Sequence, residues 1–399
     1  MVSASLGPAY NRLWLATLLS NLGDGIRMAA LPLLAAALTS DPVAVAGVAI
    51  AGQSPWLLFG LLAGAIVDRF DQRRLAAAVD VVRVAMLAVL VGSVLLDVAG
   101  IVLLYVVAFV CGVGETLRDT ATATLLPPLV KDADLDRANG GLVNAEVAGN
   151  ELVGPPIGGY LFGVALVLPF AVNGGALALA AALIFSLPNV FAPKAGSYST
   201  KGQIWSDTRA GLKWLVKNPR LRVIVGLGAV FAAMDSAWFA VLVLYVPEVL
   251  GLPAWGYGLL LGVGAIGGLA GGALAARVTR LISPAGALAA CLGSAAIGQL
   301  MIGLTSSPVV VAGGLIITSG AFGVWAVVAR TTRQRLTPAD MLGRVSSAAM
   351  TAVMSASPLG ALLGGLVAAE WGLRAPILVG VPVLTVAAAV CFLTMRDRG

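Results

Sequence analysis

Asp24 and Arg27 stand one helical turn apart inside LLSNLGDGIRMAALPLL (18–34), among Leu, Ala, Met and Gly. A charge at a bilayer centre costs at least ~2.5 kcal/mol on insertion scales, so two of them ask for a use. The mismatch recurs along the chain. Glu115, Arg118 and Asp119 form an i, i+3, i+4 constellation in CGVGETLRDTATATLLPP, Glu146 and Glu151 bracket VAGN, and Asp235 precedes Trp238 and Phe239 by a turn. Such carboxylates can do proton chemistry: burial favours the neutral acid and a nearby arginine favours the ion. The deep set holds six acids (Asp24, Glu115, Asp119, Glu146, Glu151 and Asp235) against two bases, Arg27 and Arg118. A surplus of acids can hold protons at one face and lose them at the other. Arg118 can bind either Glu115 or Asp119, which leaves the other freer. Glu146 and Glu151, five apart, point in different directions on a helix. Asp235 beside aromatic rings could receive an amphipathic cation. Asp80 and Arg83, an i,i+3 pair, read chiefly as structural.

The elements that must position these groups are membrane helices. The chain has 399 residues, 59% of them hydrophobic and only 11% charged, where a soluble chain is roughly a quarter charged. Apolar runs of about 20 residues span a bilayer core. Reading runs and punctuation gives twelve segments: 12–38, 43–67, 75–96, 101–126, 139–165, 168–188, 222–247, 255–278, 284–304, 308–331, 344–369 and 373–395. The net charge of +6 then concerns sidedness rather than nucleic acid. DRFDQRR, ARVTR and RTTRQRLTPADMLGR alternate with TSDP, DVAG, EVLGLPAWG and TSSP, which hold no Lys or Arg. This asymmetry puts both termini in the cytoplasm. Cys111, Cys291 and Cys391 lie in apolar runs without disulfide or metal spacing, and the chain has no histidine. No cofactor and no metal are expected. No cleavable signal pattern is visible at the N-terminus.

Three regions follow: an N-terminal six-helix bundle (1–188), a linker (189–221) and a C-terminal six-helix bundle (222–399). In the linker, Ile204, Leu212, Leu215 and Val216 share a helical face. Lys201, Arg209, Lys213 and Lys217 decorate the rest, with Trp205 and Trp214 as interfacial anchors. That pattern describes an amphipathic helix at the membrane surface, with an ordinary solvated linker as the alternative. The halves echo each other at an offset of about 208 residues: Arg12 and Asp24 answer to Arg222 and Asp235, and GPPIGG (154–159) to SPLGALLGG (357–365). Weak symmetry between two six-helix halves is a transporter signature, with binding near the midplane.

GAIVDRFDQRR carries Gly64, Asp68, Arg69, Arg73 and Arg74. Here the chain resembles the major facilitator superfamily, over essentially its whole length. The stretch is similar to that superfamily's cytoplasmic-gate motif, G-x-x-x-D-R-x-x-x-R-[RK], which locks one conformation through charge contacts. The equivalent connector of the second half keeps Gly272 and Arg277 but has Ala276 in place of the acid, so the gate is expected to be asymmetric. GPPIGGYL, with Gly154, Pro155, Gly158 and Gly159, resembles the motif of the superfamily's proton-coupled exporters, although glycine packing alone also accounts for it. SNLGD and LLPPLV…ANGGLVNAE are similar to bacterial drug and macrolide efflux proteins, and the enterobactin exporter is related in the same way.

The resemblance implies an all-α major facilitator fold, no enzymatic activity, and secondary export of small amphipathic molecules by proton antiport. Asp24, Arg27, Glu115, Arg118, Asp119, Glu146 and Glu151 are the candidates for proton coupling. Asn21, Asp24, Asp235, Trp238, Phe239 and Trp325 are the candidates for substrate contact. Expected partners are a small-molecule substrate, protons and the lipid bilayer, with no nucleic acid, in a monomer of the cytoplasmic membrane. A dedicated siderophore or metabolite exporter and a proton-coupled uptake symporter share this architecture. An intramembrane aspartyl protease built on Asp24 and Asp235 leaves the repeat unexplained, and substrate-dependent flux in proteoliposomes would exclude a non-transporting receptor or assembly factor. GVGAIGG (262–268) matches G-x-G-x-x-G only formally, because no strand precedes it and it continues as G-x-x-x-G through Gly264, Gly268 and Gly272.

Overall fold

Pro and short polar residues punctuate the apolar runs, and they set the helix boundaries in the computed structural model, which describes residues 6–67, 70–188, 211–338 and 341–396. The helices are α1 (Pro8–Leu38), α2 (Pro42–Val67), α3 (Gln72–Leu95), α4 (Ile101–Leu125), α5 (Leu135–Glu146), α6 (Gly154–Val164) and α7 (Leu168–Phe185). There follow α8 (211–217), α9 (Pro219–Phe239), α10 (Leu242–Leu250), α11 (Ala254–Leu281), α12 (Pro284–Leu304), α13 (Pro308–Leu336), α14 (Leu342–Trp371) and α15 (Ala375–Arg396). Pro8, Pro219, Pro284 and Pro308 open their helices, where a missing N–H leaves no helical bond unmade. Asp71, Asn218 and Ser283 cap α3, α9 and α12 by accepting from the backbone N–H of Arg74, Leu221 and Gly286. Gly251, at φ 64°, ends α10 in the left-handed conformation that glycine adopts most easily.

Nine of the expected segments coincide, among the described residues, with helices long and apolar enough to cross a membrane. The other three fall on α1, on α2 and on an interrupted series running from α5 to α6. There the expectation of one continuous helix over 139–165 is corrected. Val147–Val153 forms a π-helical stretch, and Gly154 N–H reaches back to Gly149 O. Pro155 and Pro156 follow at once, and neither can donate to a preceding carbonyl. The seventh segment is also divided, with α9 ending at Phe239 and α10 beginning at Leu242.

The chain divides into two compact units. One comprises residues 1–39, 51–198 and 253–262; the other comprises 40–50, 199–252 and 263–399. The first turns of α2 and of α11 are therefore exchanged relative to the simple halves 1–188 and 222–399. The first unit buries Leu13 and Ala16 of α1 with Ala76 of α3, Ala121 and Leu125 of α4, and Ile184 of α7. The second buries Phe231 of α9 with Leu288 and Leu292 of α12, Trp325 of α13 and Leu384 of α15. Of the linker, only 211–217 is described. Leu215 is buried with Leu221, Val225, Val345 and Ala349, while Leu212 and Val216 are exposed. Lys201, Ile204, Trp205 and Arg209 lie outside the described residues.

Candidate functional site

Three helices of the first unit bring six charges together. Asp24 and Arg27 come from α1, Asp80 and Arg83 from α3, Glu115 and Arg118 from α4. Close approach of these helices needs small residues at the crossings. An added methyl on Gly114 of α4 would come within 2.8 Å of the Arg83 stem, and one on Gly112 would lie 2.6 Å from the carbonyl oxygen of Gly52 on α2. The i,i+3 spacing then stacks an acid and an arginine on α1 and again on α3.

Arg27 Nη2 donates to Glu115 Oε2 at 2.8 Å and to Asp24 Oδ1 at 3.2 Å. Arg83 Nη2 donates a short bond to the same Asp24 Oδ1. Arg83 Nη1 lies 3.4 Å from Asp80 Oδ1 and 3.5 Å from Ser20 Oγ. Arg118 Nη1 pairs with Asp80 Oδ2 at 3.1 Å, and its Nη2 donates to the Ala16 carbonyl at 3.0 Å. The six side chains thus form one alternating chain: Glu115, Arg27, Asp24, Arg83, Asp80, Arg118. Asp24, Arg27, Asp80, Arg83 and Arg118 are buried. Glu115, with 21% of its side chain exposed, is the accessible end.

This arrangement replaces one expectation. The pair Asp80 and Arg83 belongs to the charge centre, so the arginines at its core number three and balance three acids. Arg27 is shared between Asp24 and Glu115. The signal for α3 was available, because DVVR repeats the i,i+3 acid and base of DGIR in an apolar run; its depth was not. Asp119 is half-buried a turn beyond Glu115 and takes no part in the ion pairs, so Arg118 is engaged by Asp80 instead. Glu146 and Glu151 are exposed. The π stretch sets residues five apart nearly above one another, so these two carboxylates share a side and interact electrostatically. The expected divergence assumed α-helical spacing. Among the described residues no cluster of His, Cys, Asp and Glu could hold a metal ion.

The family described as "Transmembrane secretion effector", of the major facilitator superfamily, matches residues 5–397. The chain belongs to this family. Among its curated relatives is the multidrug efflux pump Tap of Mycolicibacterium fortuitum, 27% identical over 98% of this chain and 97% of the relative. Tap of Mycobacterium tuberculosis strain H37Rv is 27% identical over 95% of this chain and 91% of the relative. YfiS of Bacillus subtilis, an uncharacterised transporter of the superfamily, is 27% identical over 88% of this chain and 85% of the relative. In fold, the chain is similar to a bacterial homologue of the iron transporter ferroportin in its inward-facing state, with a TM-score of 0.79 at 17% identity, over 99% of this chain and 100% of that one. A bacterial homologue of the lysosomal transporter Spinster gives 0.76 at 16% identity, over 98% of both chains. This transmembrane secretion effector is therefore a multi-pass membrane transporter of the major facilitator fold, and not an enzyme.

In this transporter GPPIGG is a packing device on two sides. A methyl on Gly154 would lie 2.7 Å from the Gly25 Cα of α1, and one on Gly158 would lie 2.9 Å from the Ile26 Cα. Gly159 and the Pro155 carbonyl face Gly258 of α11. Asp68 and Arg69 of the gate motif lie outside the described residues, and only the helical backbone of Gly64 is described. Arg73 donates to the Phe185 and Leu187 carbonyls at 3.2 and 2.8 Å, and Arg12 donates to Ser186 O at 3.0 Å. Both arginines thereby satisfy the end of α7, where the helix dipole favours a cation. Arg74 is exposed beside Asp71.

Among the substrate candidates, Asn21 is buried and donates to Thr17 O at 2.9 Å. Asp235 is half-buried on α9. Trp238 is buried beside it and meets Phe239 edge-on at 6.0 Å. Trp325 is packed in the second unit's core, edge-on to Phe231 at 5.9 Å.

Proposed function

We propose that this transmembrane secretion effector exports small amphipathic molecules, antibiotic-like compounds or secondary metabolites, by proton antiport with alternating access. The observation that carries the reading is the buried chain of three carboxylates and three arginines across α1, α3 and α4. Charges at this depth are costly, and a purely structural role is served as well by apolar packing. A carboxylate that trades an arginine for a proton gives the two states an antiporter needs: one that receives substrate and one that returns without it. Asp24 and the acids grouped with it, together with Asp119, Glu146 and Glu151, supply the titrating set. Asp235, with Trp238 and Phe239 on the same helix, supplies an acid beside aromatic rings for a cationic amphiphile, and Asn21 adds a polar contact. Relatives that are multidrug efflux pumps support the outward direction. The basic connectors support a place in the cytoplasmic membrane with both termini inside, and the chain is read as a monomer.

Everted membrane vesicles test the reading. Respiring vesicles acidify their lumen, so this exporter should accumulate a fluorescent amphipathic dye there, and a protonophore should release it. Accumulation that survives the protonophore refutes proton coupling. Dye driven out of the vesicles refutes export.

A further inference from the structure

An alternating chain of six charges has two ends and four interior members, and these differ in what a proton would do to them. Asp24 and Asp80 are interior: each pairs with two arginines, Asp24 with Arg27 and Arg83, Asp80 with Arg83 and Arg118. Protonating either leaves two buried guanidinium groups short of a counter-charge, which is strongly unfavourable. The Arg118 end is sealed, because that residue is 2% exposed and is held by the Ala16 carbonyl. Glu115 is the other end. Among the described residues it pairs with Arg27 alone, and Arg27 keeps Asp24 if Glu115 is neutralised. Its side chain is 21% exposed against 4% for Asp24 and 0% for Asp80.

We propose that Glu115 is the carboxylate that binds and releases the transported proton, and that Asp24, Arg83, Asp80 and Arg118 are the fixed frame that holds Arg27 against it. This rests on the antiport reading above. One proton from water adds to a Glu115 carboxylate oxygen, the ion pair to Arg27 Nη2 is lost, and Arg27 remains on Asp24. The reverse step returns that proton to water on the other side. The groups facing Glu115 are Arg27 and Asp24 of α1, Arg83 of α3, and Cys111 and Asp119 of its own helix. The described part of α2 brings no charge to α4.

The chain of three acids and three arginines is neutral with Glu115 ionised and carries one net positive charge with Glu115 protonated. The ionised state favours an amphipathic cation and the protonated state does not, so proton and substrate exclude each other. Asp119 is a weaker choice for the carrier itself. Among the described residues it holds no ion pair, so its protonation frees no arginine, and a ligand shifts an equilibrium only by what it changes between two states.

The test uses the full chain in proteoliposomes with ethidium as probe. Glu115→Gln, which holds the protonated charge throughout, should lower both gradient-free ethidium exchange and ΔpH-driven accumulation about tenfold or more. Glu115→Asp should accumulate the dye with a shifted pH profile. In weakly buffered detergent, ethidium binding should release a proton from the native chain, but none from Glu115→Gln at ethidium concentrations that still saturate it. Undiminished ΔpH-driven accumulation or proton release in Glu115→Gln overturns the assignment while leaving antiport intact. If Glu115→Gln fails to fold, an unchanged pH profile in Glu115→Asp overturns it equally. A native chain that does not accumulate ethidium under ΔpH overturns the antiport reading, and this inference with it.

Discussion

Asp24 accepts from Arg27 on its own helix and from Arg83 on α3, so its carboxylate is the joint of the charge chain. Removing its charge leaves two buried arginines to share what remains. Breaking a buried pair costs ~3–5 kcal/mol, and Asp24→Asn should fall in that range. Glu115→Gln removes a single pair at the accessible end and should cost clearly less. Thermal unfolding of the two purified variants in one detergent checks the order, and equal losses would contradict the ladder. The half of this site that lies within helices was legible: Asp24 with Arg27 and Asp80 with Arg83 are i,i+3 pairs in the sequence. The pairings between helices were not, because which guanidinium reaches Asp24 depends on helix rotation and depth. Spacing along the chain carries neither.

At the scale of elements, two glycine-rich runs show how register is decided. GVGAIGG belongs to a membrane helix, as its context indicated, and the spacing Gly264, Gly268, Gly272 marks one possible seam. In the structure the tightest approach lies beside it. A methyl on Gly267 would lie 2.5 Å from the Ile316 carbonyl oxygen, and one on Gly271 would lie 2.7 Å from the Gly320 carbonyl carbon, whereas Gly272 faces open space. Gly271→Ala should therefore cost roughly 1–3 kcal/mol through overpacking. Gly272→Ala should be neutral, or gain up to ~1 kcal/mol from helix propensity. Unfolding midpoints of the two variants check this. If Gly272→Ala proves the more damaging, the α11–α13 register is wrong. The π stretch before Pro155 teaches the same point for Glu146 and Glu151. Two prolines announced a bend, but the widened turn that sets these acids on one side depends on Gly149, Gly154 and Gly25 meeting at the crossing of α1.

At the scale of the molecule, the alternation of basic and neutral connectors is the feature that orients the chain. A fluorescent protein fused after Gly399 should fold and fluoresce in the cytoplasm. A cysteine placed at Lys131 should react with an impermeant maleimide only after the membrane is opened, against a background of buried Cys111, Cys291 and Cys391. Labelling at that position in intact cells would invert the topology. The sequence by itself determined the membrane class, the boundaries of most helices and the list of costly charges. Each of these follows from local properties: hydropathy over one span, capping residues, and the energy of a charge in an apolar run. Only the tertiary structure decided that Asp80 and Arg83 join the charge centre, that Arg27 bridges Asp24 and Glu115, and that Trp325 is core. It also showed that the compact units exchange the first turns of α2 and α11. These outcomes depend on which faces of separate helices meet, and that is fixed by close packing at glycines such as Gly25, Gly112 and Gly158, not by any one helix alone.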